Sequence, residues 1–229
     1  MHFHLPKPLH GWREFVGEVG IIVVGVLIAL GAEQVVESFH WRTNVAQARE
    51  DLGTELEGDL FNAEERARLE TCIDGRLDQI DELIDHAPAR PWKLLPGHNL
   101  VPIHVWSSSG WDSAVADGAV AHMSRRERAR YAFVYSYVRG MHAIVLEEYP
   151  VSIELRMMEH GGPLSEASQD RLRADVARVR GYNHLLAAGG GELARDIEQL
   201  GVRLMVKDQQ ALAGEKCAMP HDTLSSGAA

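Results

Sequence analysis

The chain has 229 residues, 45% of them hydrophobic and 24% charged, and its formal net charge at pH 7 is −10. This length allows one ordinary domain plus an extra element, with a core that needs neither disulfides nor metals. The acidic balance argues against nucleic acid as a partner, because binding a polyanion requires clustered Lys and Arg that displace counterions. A membrane, a protein and a small molecule remain as classes of partner.

The most hydrophobic passage is segment 17–37, GEVGIIVVGVLIALGAEQVVE. Only 14 residues, Val19 to Ala32, separate Glu18 from Glu33, whereas crossing a bilayer requires about 20 apolar residues. A window of about 20 residues, from Val16 to Val35, meets this requirement when both glutamates reach the headgroups by snorkelling. The passage therefore predicts a transmembrane helix.

Aromatic residues flank this longer span, as they do at the two interfaces of membrane helices: Trp12, Phe15, Phe39 and Trp41. We therefore predict an uncleaved anchor helix over residues 15–41, preceded by an arm of residues 1–14. Two alternatives stay open. One is a signal peptide, because Ala29-Leu30-Gly31 fits the small-x-small cleavage rule. The other is a buried helix of a soluble domain, because the apolar run is short.

Positive charge on the N-terminal arm predicts the orientation of the span. The arm carries Lys7 and Arg13, and basic residues next to a span stay on the cytoplasmic side. The arm is therefore expected in the cytoplasm and the chain after Trp41 outside it. No second apolar run of adequate length follows, so we expect a single crossing of the membrane.

One face of the predicted span carries small residues and acids. At 100° per residue, six side chains share a sector of about 100°: Glu18, Ile22, Gly25, Ala29, Ala32 and Glu33. Gly25 and Ala29 form a small-xxx-small pair that lets another helix approach closely. This face is a candidate interface for self-association or for a membrane or envelope protein. The alternative is that glycine and alanine are simply common in spans and that the glutamates only snorkel.

The block GEVGIIVVGVLIALGAEQ also resembles the N-terminal segment of uncharacterised bacterial single-pass membrane proteins. The residues that carry the resemblance are Gly17-Glu18, Ile21 to Val24 and Gly25-Val26-Leu27-Ile28-Ala29-Leu30. It covers about 30 residues of the chain. The resemblance implies a membrane-anchored helical protein of a bacterium, so the span is expected in the inner membrane and the chain after it in the periplasm. It brings no activity, cofactor or catalytic residue.

After the span, the pattern from Asn44 to His86 predicts an amphipathic helix of about 40 residues. Its apolar positions recur mostly at spacings of three and four: Val45, Ala48, Leu52, Leu56, Leu60, Ala63, Ala67, Ile73, Leu77, Ile80 and Ile84. Charged residues lie between them, and a solvated surface is their expected place: Glu64, Glu65, Arg66, Arg68 and Glu70.

Segment 87–109 is predicted to be an irregular loop, because it is rich in proline. Alternating Val101, Ile103 and Val105 leave a strand at 100–106 open. Three tryptophans lie in or beside the loop and are expected to hold it against the helical core: Trp92, Trp106 and Trp111.

The rest of the chain predicts further helices. A short one is expected from Gly110 to about Ala121, capped by Ser109, and the next starts at a capping box, Ser124-Arg125-Arg126-Glu127. Pro150 should kink or end that helix, and alternation leaves a strand at 151–157 open, although helix to His160 is favoured.

Ser165 is expected to cap the last long helical segment, which continues to about Ala213. Within it, Gly189-Gly190-Gly191 is either a hinge or a point of close packing. The predicted fold class is therefore all-α: a transmembrane helix, a bundle of about four to five helices over 42–213 outside the cytoplasm, and a flexible tail, 214–229.

Two cysteines, Cys72 and Cys217, are too few for a disulfide scaffold, but an even pair in an exported protein predicts a single bridge. Such a bridge would join the tail to the first long helix.

The sequence indicates no metal site, cofactor or catalytic residue. Its one Glu-x-x-His is Glu37 to His40, whereas a di-iron bundle site needs two such motifs and two more carboxylates. We therefore expect a membrane-anchored scaffold or accessory subunit without catalysis. The alternative is a ligand-binding or sensory domain, and its weak candidate pocket residues are aromatic or histidine: Trp106, Trp111, Tyr135 and His142.

Overall fold

A computed structural model describes residues 11–86, 101–156 and 164–214. Over these ranges the chain forms α1 (Gly11–His86), α2 (Ser109–Ala116), a 3-10 helix (Ala119–His122), α3 (Arg125–Arg156), α4 (Glu166–Gln199) and α5 (Val206–Gly214). No strand occurs in the described residues, so the predicted all-α class is confirmed. The chain divides into two units, which we name the anchor unit (1–47) and the helical unit (48–229).

The anchor unit contains the N-terminal part of α1, and that helix is continuous through Gly31. Every described residue from 15 to 40 is exposed. The most apolar window of α1 has a mean hydropathy of 2.4, and none of it is buried. By length and composition α1 can cross a membrane. A core helix of a soluble domain would be mostly buried, so this exposure speaks against that alternative.

In the helical unit, the predicted apolar stripe of α1 forms the core. The side chains that face inward are nearly inaccessible to solvent: Leu52, Leu56, Leu60, Ala63, Ile73, Leu77, Ile80 and Ile84. The last four of these belong to one hydrophobic cluster with residues of α3 and α4, namely Val151, Leu155, Val176 and Val179, and with Val101. The 3.6-residue period therefore correctly predicted the buried face of this helix.

Helix α3 continues through Pro150 to Arg156, so the prediction that the helix could end at this proline is wrong. Proline cannot donate a hydrogen bond to the carbonyl of Leu146, four residues earlier. Both Leu146 and Pro150 are exposed, so water can satisfy that carbonyl. Residues 151–156 are helical, as favoured from the sequence, so the strand left open at 151–157 is wrong over these positions. Met157 and the predicted helix end at His160 lie outside the described residues.

Two predicted helices are interrupted by glycines with positive φ. The helix predicted over 110–121 ends at Ala116, and Gly118 with φ +79° leads into the 3-10 helix. The last helical segment, predicted to continue to about Ala213, is broken after α4, where Gly201 has φ +88°. Glycine adopts this left-handed conformation without steric strain. Of the predicted tail, only Gly214 is described, and it ends α5.

The glycine triplet lies inside α4, which is helical throughout. A Cβ added to Gly190 would lie 2.6 Å from the backbone oxygen of Ala63 on α1, and one added to Gly189 would lie 2.9 Å from Sδ of Met141 on α3. A Cβ on Gly191 would meet nothing within 4 Å. The triplet is therefore a point of close packing, and the hinge interpretation is not supported by the continuous helix.

We expect Gly190→Ala and Gly191→Ala to change stability in opposite directions. Gly190→Ala forces α4 away from the Ala63 carbonyl and should lower the free energy of unfolding by about 1–3 kcal/mol. Gly191→Ala adds helix propensity without a clash and should raise it by about 0.5–1 kcal/mol. Thermal unfolding of the full-length chain, followed by circular dichroism in detergent, measures both. Equal effects of the two substitutions would contradict the close packing.

Candidate binding cleft

The extended segment 101–108 is held against α1 by polar side chains of the helix. Asn62 Nδ2 donates to the carbonyl of Val105 over 3.2 Å, and the N–H of Ser107 donates to Asp59 Oδ1 over 3.1 Å. The segment therefore satisfies its backbone at these points with side chains of a helix and not with a neighbouring strand. The strand considered at 100–106 is wrong over 101–106.

Glu55 extends the same arrangement to the start of α2. Its Oε1 accepts hydrogen bonds from Ser107 Oγ (2.6 Å), Ser109 Oγ (2.9 Å) and the N–H of Gly110 (3.0 Å). Burial acts to raise the pKa of Glu55, but the donors at Gly110, Ser107 and Ser109 outweigh it and hold the pKa below its ordinary value. Glu55 is therefore an ionised cap for the N-terminus of α2.

Asp59 differs from Glu55 because one of its oxygens has no donor. Only 1% of the residue is exposed. Oδ1 accepts from the N–H of Ser107, whereas Oδ2 is buried without a hydrogen-bond partner among the described residues. Burial, with a smaller effect from the charge of Glu55, raises the pKa of Asp59 to about 7. A buried acceptor without a donor costs about 1–3 kcal/mol, so Asp59 is a point of local instability.

Beside these residues lies an open cleft of about 520 Å³, which we name the acidic cleft. It lies between α1, the end of segment 101–108 and the start of α5. Its described lining contains four acids, Glu55, Glu57, Asp59 and Asp208, and no Lys or Arg. Glu57 Oε1 accepts from the N–H of Met205 over 2.8 Å and so connects α1 to the chain just before α5.

The next turns of α1 are also polar and buried. His104 of segment 101–108 hydrogen-bonds to Glu65, and Arg66 forms an ion pair with Glu148 of α3 whose side chains are 4% and 2% exposed. Burial lowers the pKa of Arg66 and raises that of Glu148, against their mutual attraction. The expectation that Glu65 and Arg66 lie on a solvated surface is therefore wrong.

The residues predicted for a ligand pocket do not line the acidic cleft, although the Tyr135 hydroxyl interacts with Glu55 and Asp59, which do. Trp106, Trp111 and Tyr135 are buried, and Trp111 stacks on Tyr135 with ring centroids 5.4 Å apart and planes 18° apart. His142 is half-buried, with Nδ1 lacking a partner among the described residues. None of the four belongs to the described lining of the acidic cleft. Trp106 and Trp111 thus pack into the core, as predicted for tryptophans that hold the loop, while Trp92 lies outside the described residues.

The acids that line the cleft were not identified from the sequence, because charged residues on an amphipathic helix are normally expected on its solvated face. Asp59 lies three positions after Leu56 and four before Ala63, on the stripe that the apolar period predicts to be buried. A buried carboxylate at such a position needs donors from elsewhere in the chain. An acid on the predicted buried stripe therefore indicates a site from sequence alone. It does not identify the donors, since Ser107 lies 48 residues from Asp59.

The predicted interface of the span has no partner within the chain as described. Its candidate residues are all exposed: Glu18, Ile22, Gly25, Ala29, Ala32 and Glu33. A Cβ added to Gly25 would meet nothing within 4 Å. Their role in binding another helix stays a prediction.

Cys72 on α1 is disulfide-bonded in the structure. The sequence contains one other cysteine, Cys217, which lies outside the described residues. The predicted pairing of the two stays a prediction.

Comparison with protein-family models, with curated proteins and with solved structures finds no match for the chain. The resemblance of segment 17–34 to bacterial single-pass membrane proteins stays a prediction. Within the described ranges, no three His, Cys, Asp or Glu side chains are placed to hold a metal ion. The acidic cleft is therefore the candidate functional site of the helical unit.

We expect Asp59→Asn to stabilise the protein in a pH-dependent way. The folded-state pKa of Asp59 is about 7, above its ordinary value of 3.8. The stability that the neutral carboxyl supports is therefore fully present below pH 3.8 and is lost as the pH rises through 7. The variant cannot ionise, so at pH 8 it should exceed the wild type by on the order of a few kcal/mol.

Thermal or denaturant unfolding at pH 4.5 and pH 8 measures this difference. Near pH 4.5 the advantage of the variant should be much smaller than at pH 8, because this pH is close to the ordinary pKa of 3.8. Glu50→Gln, which replaces an exposed acid on the same helix, is the matched control and should give the same small effect at both pH values. A stabilisation by Asp59→Asn that is independent of pH would contradict an ionising, buried Asp59.

Proposed function

We propose that the protein is a single-pass membrane protein whose helical unit lies outside the cytoplasm and serves as a scaffold or accessory subunit for other envelope proteins. The observation that supports the anchor is the exposed part of α1, residues 15–40, which contains the predominantly apolar window from Val16 to Val35. At about 1.5 Å per residue this window of about 20 residues is about 30 Å long, which matches a hydrocarbon core of about 30 Å. Exposure of these apolar side chains to water would be strongly unfavourable.

The continuity of α1 supports an anchor that is retained. Ala29-Leu30-Gly31, the site at which a signal peptide would be cut, lies within an unbroken helix. A peptide bond inside a continuous helix has its backbone groups hydrogen-bonded within the helix and is a poor substrate for a peptidase that binds an extended chain. The charges Lys7 and Arg13 on the N-terminal side support an orientation with that side in the cytoplasm.

The polar residues of the anchor support a role in association. A span that only holds a domain to a membrane needs no acids and no small-residue face. Here Glu18 and Glu33 share a sector with Gly25 and Ala29, and intramembrane acids are stabilised when a neighbouring helix supplies donors. The proposed face binds a second copy of the span or the span of a partner protein. No catalysis is part of the proposal.

We expect the full-length chain to remain in the membrane pellet after alkaline carbonate extraction, at a mass that includes the segment up to Gly31. Leu27→Arg places a charge at the centre of the span, where it costs about 2.5–3.5 kcal/mol on insertion scales, and should move much of the protein to the supernatant. Leu27→Ile is the control. In spheroplasts, added protease should digest the helical unit. A wild-type protein that is soluble or shortened would overturn the retained anchor. A helical unit that is protected from the added protease would overturn the proposed orientation.

We expect Gly25→Leu and Ala29→Leu to weaken association through the span, because a leucine side chain prevents close approach of two helices. Val24→Leu, outside the sector that contains these two residues, is the matched control. Chemical cross-linking in native membranes, followed by mass spectrometry of the linked species, measures the change. Unchanged cross-linking in both Gly25→Leu and Ala29→Leu would contradict an interface on this face.

The acidic cleft favours a second candidate function, which is binding of a small ligand by the helical unit. The observation behind it is Asp59, which lines the cleft and has one buried oxygen without a donor among the described residues. This function is compatible with membrane anchoring and does not depend on it.

A further inference from the structure

We propose that the acidic cleft binds a small organic cation, an ammonium group carried on a short carbon chain, with Asp59 as its principal anchor. The proposal deepens the second candidate function and rests on ligand binding by the helical unit, not on the membrane anchor.

The charge of the lining selects a cation. Glu55, Glu57, Asp59 and Asp208 line the cleft without a Lys or Arg among the described lining residues. An anionic ligand would meet four acidic side chains and no Lys or Arg in this lining. A cation would instead reduce the repulsion between Glu55 and Asp59.

Hydrogen bonding within the protein leaves Asp59 as the acceptor in need of a donor. Glu55 already accepts from three groups, and Glu57 accepts from Met205. Asp59 Oδ2 has no donor among the described residues although the residue is 1% exposed. Native proteins rarely leave a buried carboxylate oxygen unpaired, and an ammonium group brings three N–H donors together with a positive charge. A bound ammonium therefore supplies Asp59 with both a hydrogen-bond donor and a compensating positive charge.

Helix α5 contributes a second carboxylate to the lining of the cleft, that of Asp208. Asp208 lies on the first turn of α5 and is half-buried. No hydrogen bond or ion pair holds its side chain to another described residue. A cation anchored at Asp59 could thus be approached by Asp208 from a different element, which would couple ligand binding to the position of α5.

Size and apolar lining favour an organic cation over a bare metal ion. The cleft volume of about 520 Å³ falls in the usual range for small-molecule sites, about 300–1,000 Å³. Phe61, Val105 and Met205 contribute apolar surface to the lining, against which a carbon chain can pack. The ring of Phe61 can also attract a cation through its face. No three metal-ligating side chains converge in the described part of the chain.

The affinity for such a cation should depend on pH through Asp59. The titratable groups around Asp59 are Glu55 and Glu57 on α1, His104 on segment 101–108, Tyr135 on α3 and Asp208 on α5. Glu55 stays ionised because its pKa is below the ordinary value. Asp59, whose pKa is about 7, takes up a proton below that pH and then attracts a cation less strongly. Binding should therefore weaken as the pH falls from 8 to 6.

Isothermal titration calorimetry of the full-length chain in mild detergent tests the proposal, with 1,4-diaminobutane as the probe and 1,4-butanediol as its uncharged control. We expect saturable one-to-one binding of the diamine at pH 8 and none of the diol. Asp59→Asn should weaken binding at least tenfold, and Asp208→Asn should weaken it by a smaller factor. Glu50→Gln, which removes one exposed charge of α1 outside the cleft, should leave the affinity unchanged.

Three results would overturn the proposal. The first is the absence of saturable binding of the diamine at millimolar concentration. The second is an equal loss of affinity in Glu50→Gln and Asp59→Asn, which would show a general effect of net charge. The third is saturable binding of Mg²⁺ that Asp59→Asn abolishes, which would assign the cleft to a metal ion. Circular dichroism of each variant verifies folding, and the Asp208→Asn variant tests the cleft from a separate helix. None of these results bears on membrane extraction or span cross-linking.

Discussion

Buried polar side chains on one stretch of α1 position the other elements of the helical unit. Asp59 and Asn62 bind the backbone of segment 101–108, Glu55 caps α2, and Arg66 pairs with Glu148 of α3. An apolar stripe alone would accept neighbours at several positions along its length, because hydrophobic contact is not directional. Buried charges and amides are satisfied only in one arrangement, since an unpaired group is strongly unfavourable. These contacts therefore select the position at which each element packs on α1.

The acidic cleft is a consequence of this arrangement. Segment 101–108 supplies donors for Glu55 and for one oxygen of Asp59, and the chain then continues into α2. The second oxygen of Asp59 is buried without a donor from the described residues, and the residue lines the cleft. Local instability of this kind is common at binding sites, where a ligand completes what the fold leaves unsatisfied. The close packing of Gly190 on Ala63 shows that α1 is held tightly near the cleft, so that the site is built on a rigid helix.

One helix has two different surfaces. In the anchor unit α1 is exposed and largely apolar, and in the helical unit it has a periodic apolar stripe that is buried. The change takes place without a break in the helix. Hydropathy, and not secondary structure, therefore distinguishes the two parts of this element. The proposed functions divide in the same way, with association assigned to the span and ligand recognition assigned to the helical unit.

The all-α class, the apolar span and the buried leucines of α1 could be read from the sequence, because each depends on residues that are near one another along a single helix. Local sequence did not decide between a hinge and close packing at the glycine triplet, and the charges of Glu65 and Arg66 wrongly indicated a solvated position. The cleft depends on contacts between residues about 50 positions apart, such as Ser107 with Glu55 and Asp59. Periodicity reports which face of a helix is buried, but it carries no information about which distant donor will meet a buried carboxylate. Only the tertiary structure decided that, because the partner of a buried charge is determined by how the chain folds back on α1.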